Sequence, residues 1–187
     1  MKEENKPWKG KYGWTSPYNF VPEVKDKIKI KEIKINDETL RDGEQHPGVV
    51  FRGEERVKIV EMLDNIGIDR IDLGLPLVSK EDKKTAKKIA DLDLNAEIIC
   101  FSRSIKSDVD NAIDCGVDGV MCEFPTSKDL IEQGYQWTIE EAIEKSTSTI
   151  QYAKDHGIKA TSFFVDSTRS EPELLRYIPV SYTHLTL

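Results

Sequence analysis

The 187-residue sequence has only three cysteines and three histidines, and no apolar run approaches the ~20 residues that cross a bilayer. Its start, "MKEENKPWKGKYGW", is polar and does not read as a secretory leader. Cys100, Cys115 and Cys122 make no CxxC pair, and an odd number of thiols does not build a disulfide framework. Together these absences predict a reducing, cytoplasmic setting in which the cysteines are small core residues. Basic side chains are outnumbered, 27 Lys and Arg against 34 Asp and Glu, for a net charge of −7. They form no stripe, so a nucleic-acid partner has no electrostatic support and small molecules are the expected partners. No GxGxxG follows the first strand and no GxxxxGK[ST] occurs, which removes both common phosphate-loop fingerprints.

The remaining content, 38% hydrophobic and 33% charged, suits a globular chain with a real core. Residues 1–27 are rich in Trp, Tyr, Pro and Lys without a sustained period and read as an N-terminal arm that packs by its aromatics. The text then becomes regular. "KIKIKEIKI" alternates as a strand ending near Asn36. "EERVKIVEMLDNIG" sets Val57, Val60, Leu63 and Ile66 at helical spacing and stops on Gly67. Four further strand patterns follow: "RIDLGLP", "AEIICF", "DGVMCEF" and "KATSFFVD". Between them lie helices capped by Ser79, by Ser107 and by the Thr138–Glu141 capping box; the stretch "PTSKDLIEQGYQW" reads as a loop.

Five strands alternating with helices predict an α/β fold with a parallel sheet, whose sites lie at the carboxyl ends of the strands. Periodicity alone leaves a doubly wound sheet and a (β/α)8 barrel equally open. The chemistry-bearing residues collect at those strand ends. Arg41 and Asp42 follow the first strand, Asp72 lies in the second, and Arg103 follows the third. Glu123 lies at the fourth, and Asp166 and Thr168 at the fifth. The densest stretch is "INDETLRDGEQHPG", residues 35–48, far more polar than a connection requires.

That stretch resembles the opening of the DRE-TIM metallolyase superfamily, and within it the Claisen-condensing 2-isopropylmalate, citramalate and homocitrate synthases. The similarity runs over about residues 30–178 and includes "IDLGLPLVSKED", "SRSIKSDVDNAIDCGVDG" and "DSTRSEPELL". Glu44 and Pro47–Gly48 lean toward the synthases, since the 3-hydroxy-3-methylglutaryl-CoA lyases usually read RDGLQ there. The resemblance implies a (β/α)8 TIM barrel, present for about its first five βα units. It implies a divalent metal (Mg2+, Mn2+ or Zn2+) with Asp42 as a ligand, and Arg41 holding the alkoxide that develops on a 2-oxo acid. Gln45, Arg103 and Asp72 are the implied substrate-pocket residues, acetyl-CoA the cosubstrate, and a homodimer the implied assembly of the full-length protein. A hard cation and a fixed guanidinium suit this chemistry, because both stabilise oxyanions without proton transfer.

Glu38 and Glu44 read as solvated or structural, and His46 as equally a pocket or a surface residue. Glu123 and Asp166 are secondary rim candidates. The sequence also departs from the family pattern. Val165 stands where isopropylmalate and homocitrate synthases often carry Glu. Phe101, Thr161 and Phe163 stand where homocitrate synthases tend to carry His, Arg and Ser. The HxH pair that completes the family's metal site is absent; the histidines are His46, His156 and His184. A complete barrel takes about 250 residues, and "PVSYTHLTL" abandons the pattern in mid-helix. These features predict a partial barrel over residues 28–178 and a non-native, adaptor-like tail over 179–187. Such a chain is expected to be inactive and barely folded by itself, a lyase or a non-catalytic half-barrel binding module being the rival readings.

Overall fold

The computed structural model describes residues 32–76 and 78–183, with positions 9–11, 13, 15 and 17–22 nearer the N-terminus. Two compact units divide between Ile33 and Lys34. In the first, a 3-10 turn covers Pro17–Phe20 and the Gly10 amide donates to the Gly13 carbonyl at 2.8 Å. Most of the aromatic arm, 1–27, lies outside the described residues.

The second unit is a five-stranded parallel sheet with strands in sequence order. The strands are β1 (Asn36–Asp37), β2 (Arg70–Asp72), β3 (Glu97–Ser102), β4 (Gly119–Pro125) and β5 (Lys159–Val165). The helices are α1 (Gly53–Asn65), α2 (Lys80–Ala90), α3 (Lys106–Cys115), α4 (Ile139–Asp155) and α5 (Pro172–Thr183). This is the βα repeat of a barrel, half drawn. The sheet is curled: Arg70 on β2 donates to Thr161 Oγ1 on β5 at 3.5 Å, across two intervening strands. In a flat sheet strands β2 and β5 would stand about 14 Å apart.

Strand alternation assigns the faces. Ile71, Leu73, Ile98, Cys100, Val120 and Cys122 point to the helices and pack with Val60, Ile89, Ala112 and Ala153 in one cluster. Each fully buried Ile or Val there contributes roughly 1.5–3 kcal/mol. The three free cysteines are buried, as their composition predicted. The opposite positions, Asp72, Phe101, Glu123 and Phe163 among them, occupy the concave face.

The helix signals mostly hold. Ser79 Oγ accepts from the Asp82 amide at 3.0 Å, Thr138 and Glu141 form a capping box, and Gly116 closes α3 in the left-handed region. Four expectations are corrected. Residues 32–35 are not in a strand and β1 is two residues long; residues 28–31 fall outside the described set. Alternation alone does not make a strand where no ladder pairing accompanies it, and Ile33 and Ile35 are exposed. Ile66 is not on the buried face of α1, because the helix ends at Asn65 and Ile66 is 74% exposed. Helix α3 starts at Lys106, after Ile105, so Ser107 lies in its first turn rather than at the cap. Leu130–Tyr135, read as loop, forms a π-helical turn. Helix α5 runs on through Thr183, past the point where the sequence pattern breaks.

Candidate active site

Beyond β1 the chain turns sharply. Asp37 Oδ1 accepts from the Thr39 amide at 2.9 Å, and the Glu38 carbonyl accepts from the amides of Arg41 and Gly43, both at 3.1 Å. Leu40, 1% exposed, pins this loop to the core, and the turn returns Arg41 over the strand end. Arg41 Nε donates to Glu38 Oε2 at 2.7 Å and stands 3.3 Å from Asp72 Oδ2. Its guanidinium carbon lies 5.4 Å from the Phe101 ring centre and 5.1 Å from that of Phe163. Among the described residues neither Nη makes a hydrogen bond. The nearest carboxylate to Nη1 in an ion pair is Asp42, at 3.9 Å. An arginine so held by its inner nitrogen presents a fixed pair of outer donors.

Asp72 lies behind it. Its side chain is wholly buried, and Oδ1 accepts from the Gly74 amide at 2.8 Å. Oδ2 has no hydrogen-bond partner. Burial pushes the Asp72 carboxyl up to about 7; Glu38 adds to the rise, while the Gly74 amide and Arg41 oppose it. Asp72 thus supports Arg41 from below and does not line the cavity in front of it. Gly74 adopts φ +76°, and a Cβ there would meet the Leu40 carbonyl at 3.5 Å and Arg41 Cα at 3.7 Å. A side chain at Gly74 would strain the backbone under the arginine.

The cavity at the carboxyl ends of β1–β3 measures about 560 Å³. Arg41, Gln45 and Arg103 line it, with Glu44, Phe101 and an apolar rim including Val50, Phe51 and Leu75. Arg103 is held in a fork: Nε and Nη2 donate to Asp108 Oδ2 and Oδ1, each at 3.0 Å, and its backbone amide reaches Oδ2 at 3.0 Å. Asp108 is fully buried and sits in the first turn of α3, where a carboxylate is favoured. Glu44 is structural. It takes Arg56 Nη1 and the Phe51 amide, while Arg56 Nη2 reaches the Leu73 carbonyl at 2.6 Å. One buried arginine thereby ties the loop after β1 to the loop after β2.

The remaining rim residues divide. Glu123 accepts from the Tyr135 hydroxyl, and burial followed by this bond pushes the phenol's pKa up. Asp166 pairs with Arg169 Nε at 2.7 Å and with Ser127; these contacts hold its carboxyl below the usual range. His46 is exposed, its Nδ1 3.1 Å from the Pro47 carbonyl. Arg56, Asp108 and Tyr135 escaped the sequence reading. Only Asp108 left a signal there, as an acid in the first turn of a helix just after Arg103.

A metal finds a partial fit. The Asp42 side chain is 73% exposed, with Oδ1 3.9 Å from Arg41 Nη1. No group of three or more His, Cys, Asp or Glu among the described residues is disposed around a common centre. Asp42 therefore fits as a single ligand, and the described residues alone do not form a cation site. No helix of the described residues is long and apolar enough to cross a membrane.

Comparison with known proteins places the chain in a family. The HMGL-like family model matches residues 32–180. Homocitrate synthase AksA of Methanopyrus kandleri is 40% identical over 147 residues, covering 79% of this chain and 37% of that protein. Homocitrate synthase AksA of Methanothermobacter thermautotrophicus is 41% identical over 165 residues, 88% of this chain and 41% of its own length. 2-Isopropylmalate synthase 2 of Caldanaerobacter subterraneus subsp. tengcongensis is 37% identical over 147 residues, 79% and 38% respectively. The chain thus spans about two fifths of the length of these curated relatives. Among solved structures, the HMG-CoA lyase of Bacillus subtilis superposes with a TM-score of 0.72 at 14% identity. It covers 84% of this chain and 56% of that one, and shares the fold. With the family model extending over the whole sheet, this chain belongs to the HMGL-like family of the DRE-TIM superfamily, and its relatives at about 40% identity are homocitrate and isopropylmalate synthases.

Proposed function

We propose that residues 28–178 are the first part of a catalytic barrel that condenses acetyl-CoA with a 2-oxo acid. One observation carries the reading: Arg41 is fixed by Glu38 and Asp72 at a strand end and keeps both Nη groups free of hydrogen bonds among the described residues. Those donors fit the ketone oxygen of a 2-oxo acid. The methyl group of acetyl-CoA loses a proton, and its carbanion forms the new carbon–carbon bond at the ketone carbon. The ketone π electrons move onto oxygen, and Arg41 stabilises the resulting alkoxide. Water then cleaves the thioester and releases CoA. The base lies outside the residues assigned here.

Gln45 and Arg103 bind the substrate's polar groups from the cavity wall. Asp42 supplies one ligand to a divalent cation, Mg2+, Mn2+ or Zn2+, which when bound polarises the substrate's carbonyl and carboxylate. The working protein is longer than this chain, cytoplasmic and homodimeric. The described residues alone form no complete cation site, and residues 1–187 by themselves turn over no substrate.

The test is release of free CoA by the full-length protein with acetyl-CoA, Mg2+ or Mn2+ and a panel of 2-oxo acids. Release that requires the acid and disappears in Arg41→Ala and Asp42→Ala supports the synthase. Metal-bound, folded protein that releases none with any acid ends this reading.

A further inference from the structure

The concave wall beside Arg41 is aromatic and acidic rather than cationic. Phe101 on β3 and Phe163 on β5 meet edge to face, ring centres 6.2 Å apart, and both rings flank the Arg41 guanidinium. A carbonyl group held by the outer nitrogens of Arg41 would bring its substituent up to Phe101, which lines the same cavity, with Phe163 packed against that ring. The next concave position on β4, in register with Phe163, is Glu123. The other cation at this end, Arg103, is forked onto buried Asp108 and feels the charge of Glu123. Arg70 and Lys159 share Glu97 at the opposite end of the strands. Among the described residues, every cation of this face already has a carboxylate partner.

From this arrangement we propose that the 2-oxo acid bound here carries an uncharged, apolar side chain, selected by Phe101 and Phe163, and not a second carboxylate. This deepens the condensing reading above and rests on it for the identity of the oxo-acid site. A distal carboxylate lodged beside Phe101 and Phe163 would lose its water against the rings and meet Glu123, with Arg103 already forked onto Asp108, a costly burial. An apolar tail of a few carbons gains contact area with both rings at no such cost.

The full-length protein is assayed with 2-oxobutyrate, 2-oxoisovalerate and 2-oxoglutarate for CoA release, and separately for direct binding of each acid by saturation-transfer NMR without acetyl-CoA. The expected result is a kcat/KM for an apolar acid on the order of 100-fold above that for 2-oxoglutarate, with the same ranking in binding. Phe101→His and, separately, Phe163→Ser each narrow that ratio, and having two variants guards against one that does not fold. Equal or better use of 2-oxoglutarate by the wild type overturns the inference and leaves the condensing activity standing. Binding of apolar acids alone, with no CoA release, sinks the condensing reading and keeps the selectivity. Binding of none of the three acids overturns the proposal.

Discussion

Arg41 and Asp72 meet as an exposed-facing cation and a wholly buried carboxylate, Nε to Oδ2 at 3.3 Å. The contact joins the ends of β1 and β2, and it makes the orientation of the arginine depend on a group that titrates near neutrality. Asp72, pushed up to about 7 from an ordinary 3.8, holds a proton in the folded protein over a range where the unfolded chain has released it. The folded state binds more protons there, so stability falls as pH rises from about 4 to about 7 and levels off above. Asp72→Asn removes the titration. In urea unfolding of the full-length protein, the variant gains on wild type between pH 5 and pH 8. A difference that does not change with pH would refute the assignment.

Arg41→Lys keeps the charge but loses the planar fork and the seat between Phe101 and Phe163. Its kcat is expected to fall by about 10²–10³-fold, the range for removing an oxyanion donor. Acid binding measured without turnover should weaken far less. Full activity with lysine would show that charge alone suffices.

Asp108→Asn keeps the shape of the side chain but removes the charge from a buried acceptor of three Arg103 hydrogen bonds. The loss is about 1.5–3 kcal/mol of stability, the range for hydrogen bonds to charged groups. Because Arg103 lines the cavity beside Arg41, the proposed function predicts that KM for the oxo acid rises more than kcat falls. Calorimetry and steady-state kinetics on the same preparation separate the two effects.

Gly53 begins α1 beside α2, and a Cβ there would meet Thr85 Oγ1 at 2.6 Å and Glu81 Oε1 at 3.3 Å. Gly53→Ala should destabilise by about 1–3 kcal/mol through overpacking. Thr85→Ala removes the nearest clashing atom, so the double variant should recover part of the loss, a coupling that a double-mutant cycle reads directly. Additive losses would mean that the helices do not touch there.

Burial drives the Cys122 thiol up to about 12 and the Cys100 thiol well above its ordinary value. Neither is a competent nucleophile at pH 8. A disulfide reagent should leave both unmodified in the native protein and label them on unfolding in denaturant. Rapid native labelling of either would contradict the packing of β3 and β4 against the helices. Quiet thiols also mean that CoA release can be followed by thiol titration with little background from these two positions.

Much of the fold could be read directly because its signals are local. Ser79, Thr138 and Gly116 act within a turn of where they stand, and β3 and β4 are short, largely apolar runs bounded by polar residues. The misreadings come from tertiary context. "KIKIKEIKI" alternates well enough for a strand, yet ladder pairing begins only after it, at Asn36 and Asp37, and its described end meets β2 through the Ile35 carbonyl alone among backbone bonds. Ile66 has helical spacing but falls after the last turn of α1. At the site, Arg41 and Gln45 of the motif after β1 line the cavity together with Arg103. The supports were harder to see: Asp72 and Asp108 are ordinary acids until the fold removes their water. Arg56 looks like one more charged residue on a helix until its 2.6 Å bond to the Leu73 carbonyl is seen.

The sheet order β1-β2-β3-β4-β5 has a bearing on biosynthesis. Each strand bonds to the one made just before it, so none must wait for a distant segment to emerge from the ribosome. A growing chain can add one strand and its helix at a time, with the earlier units already bonded. Arg41, Asp72, Arg103 and Asp108 all lie in the first three units. Their mutual contacts can therefore form before β5 is synthesised, and the carboxyl ends of β1–β3 become the template on which later segments settle.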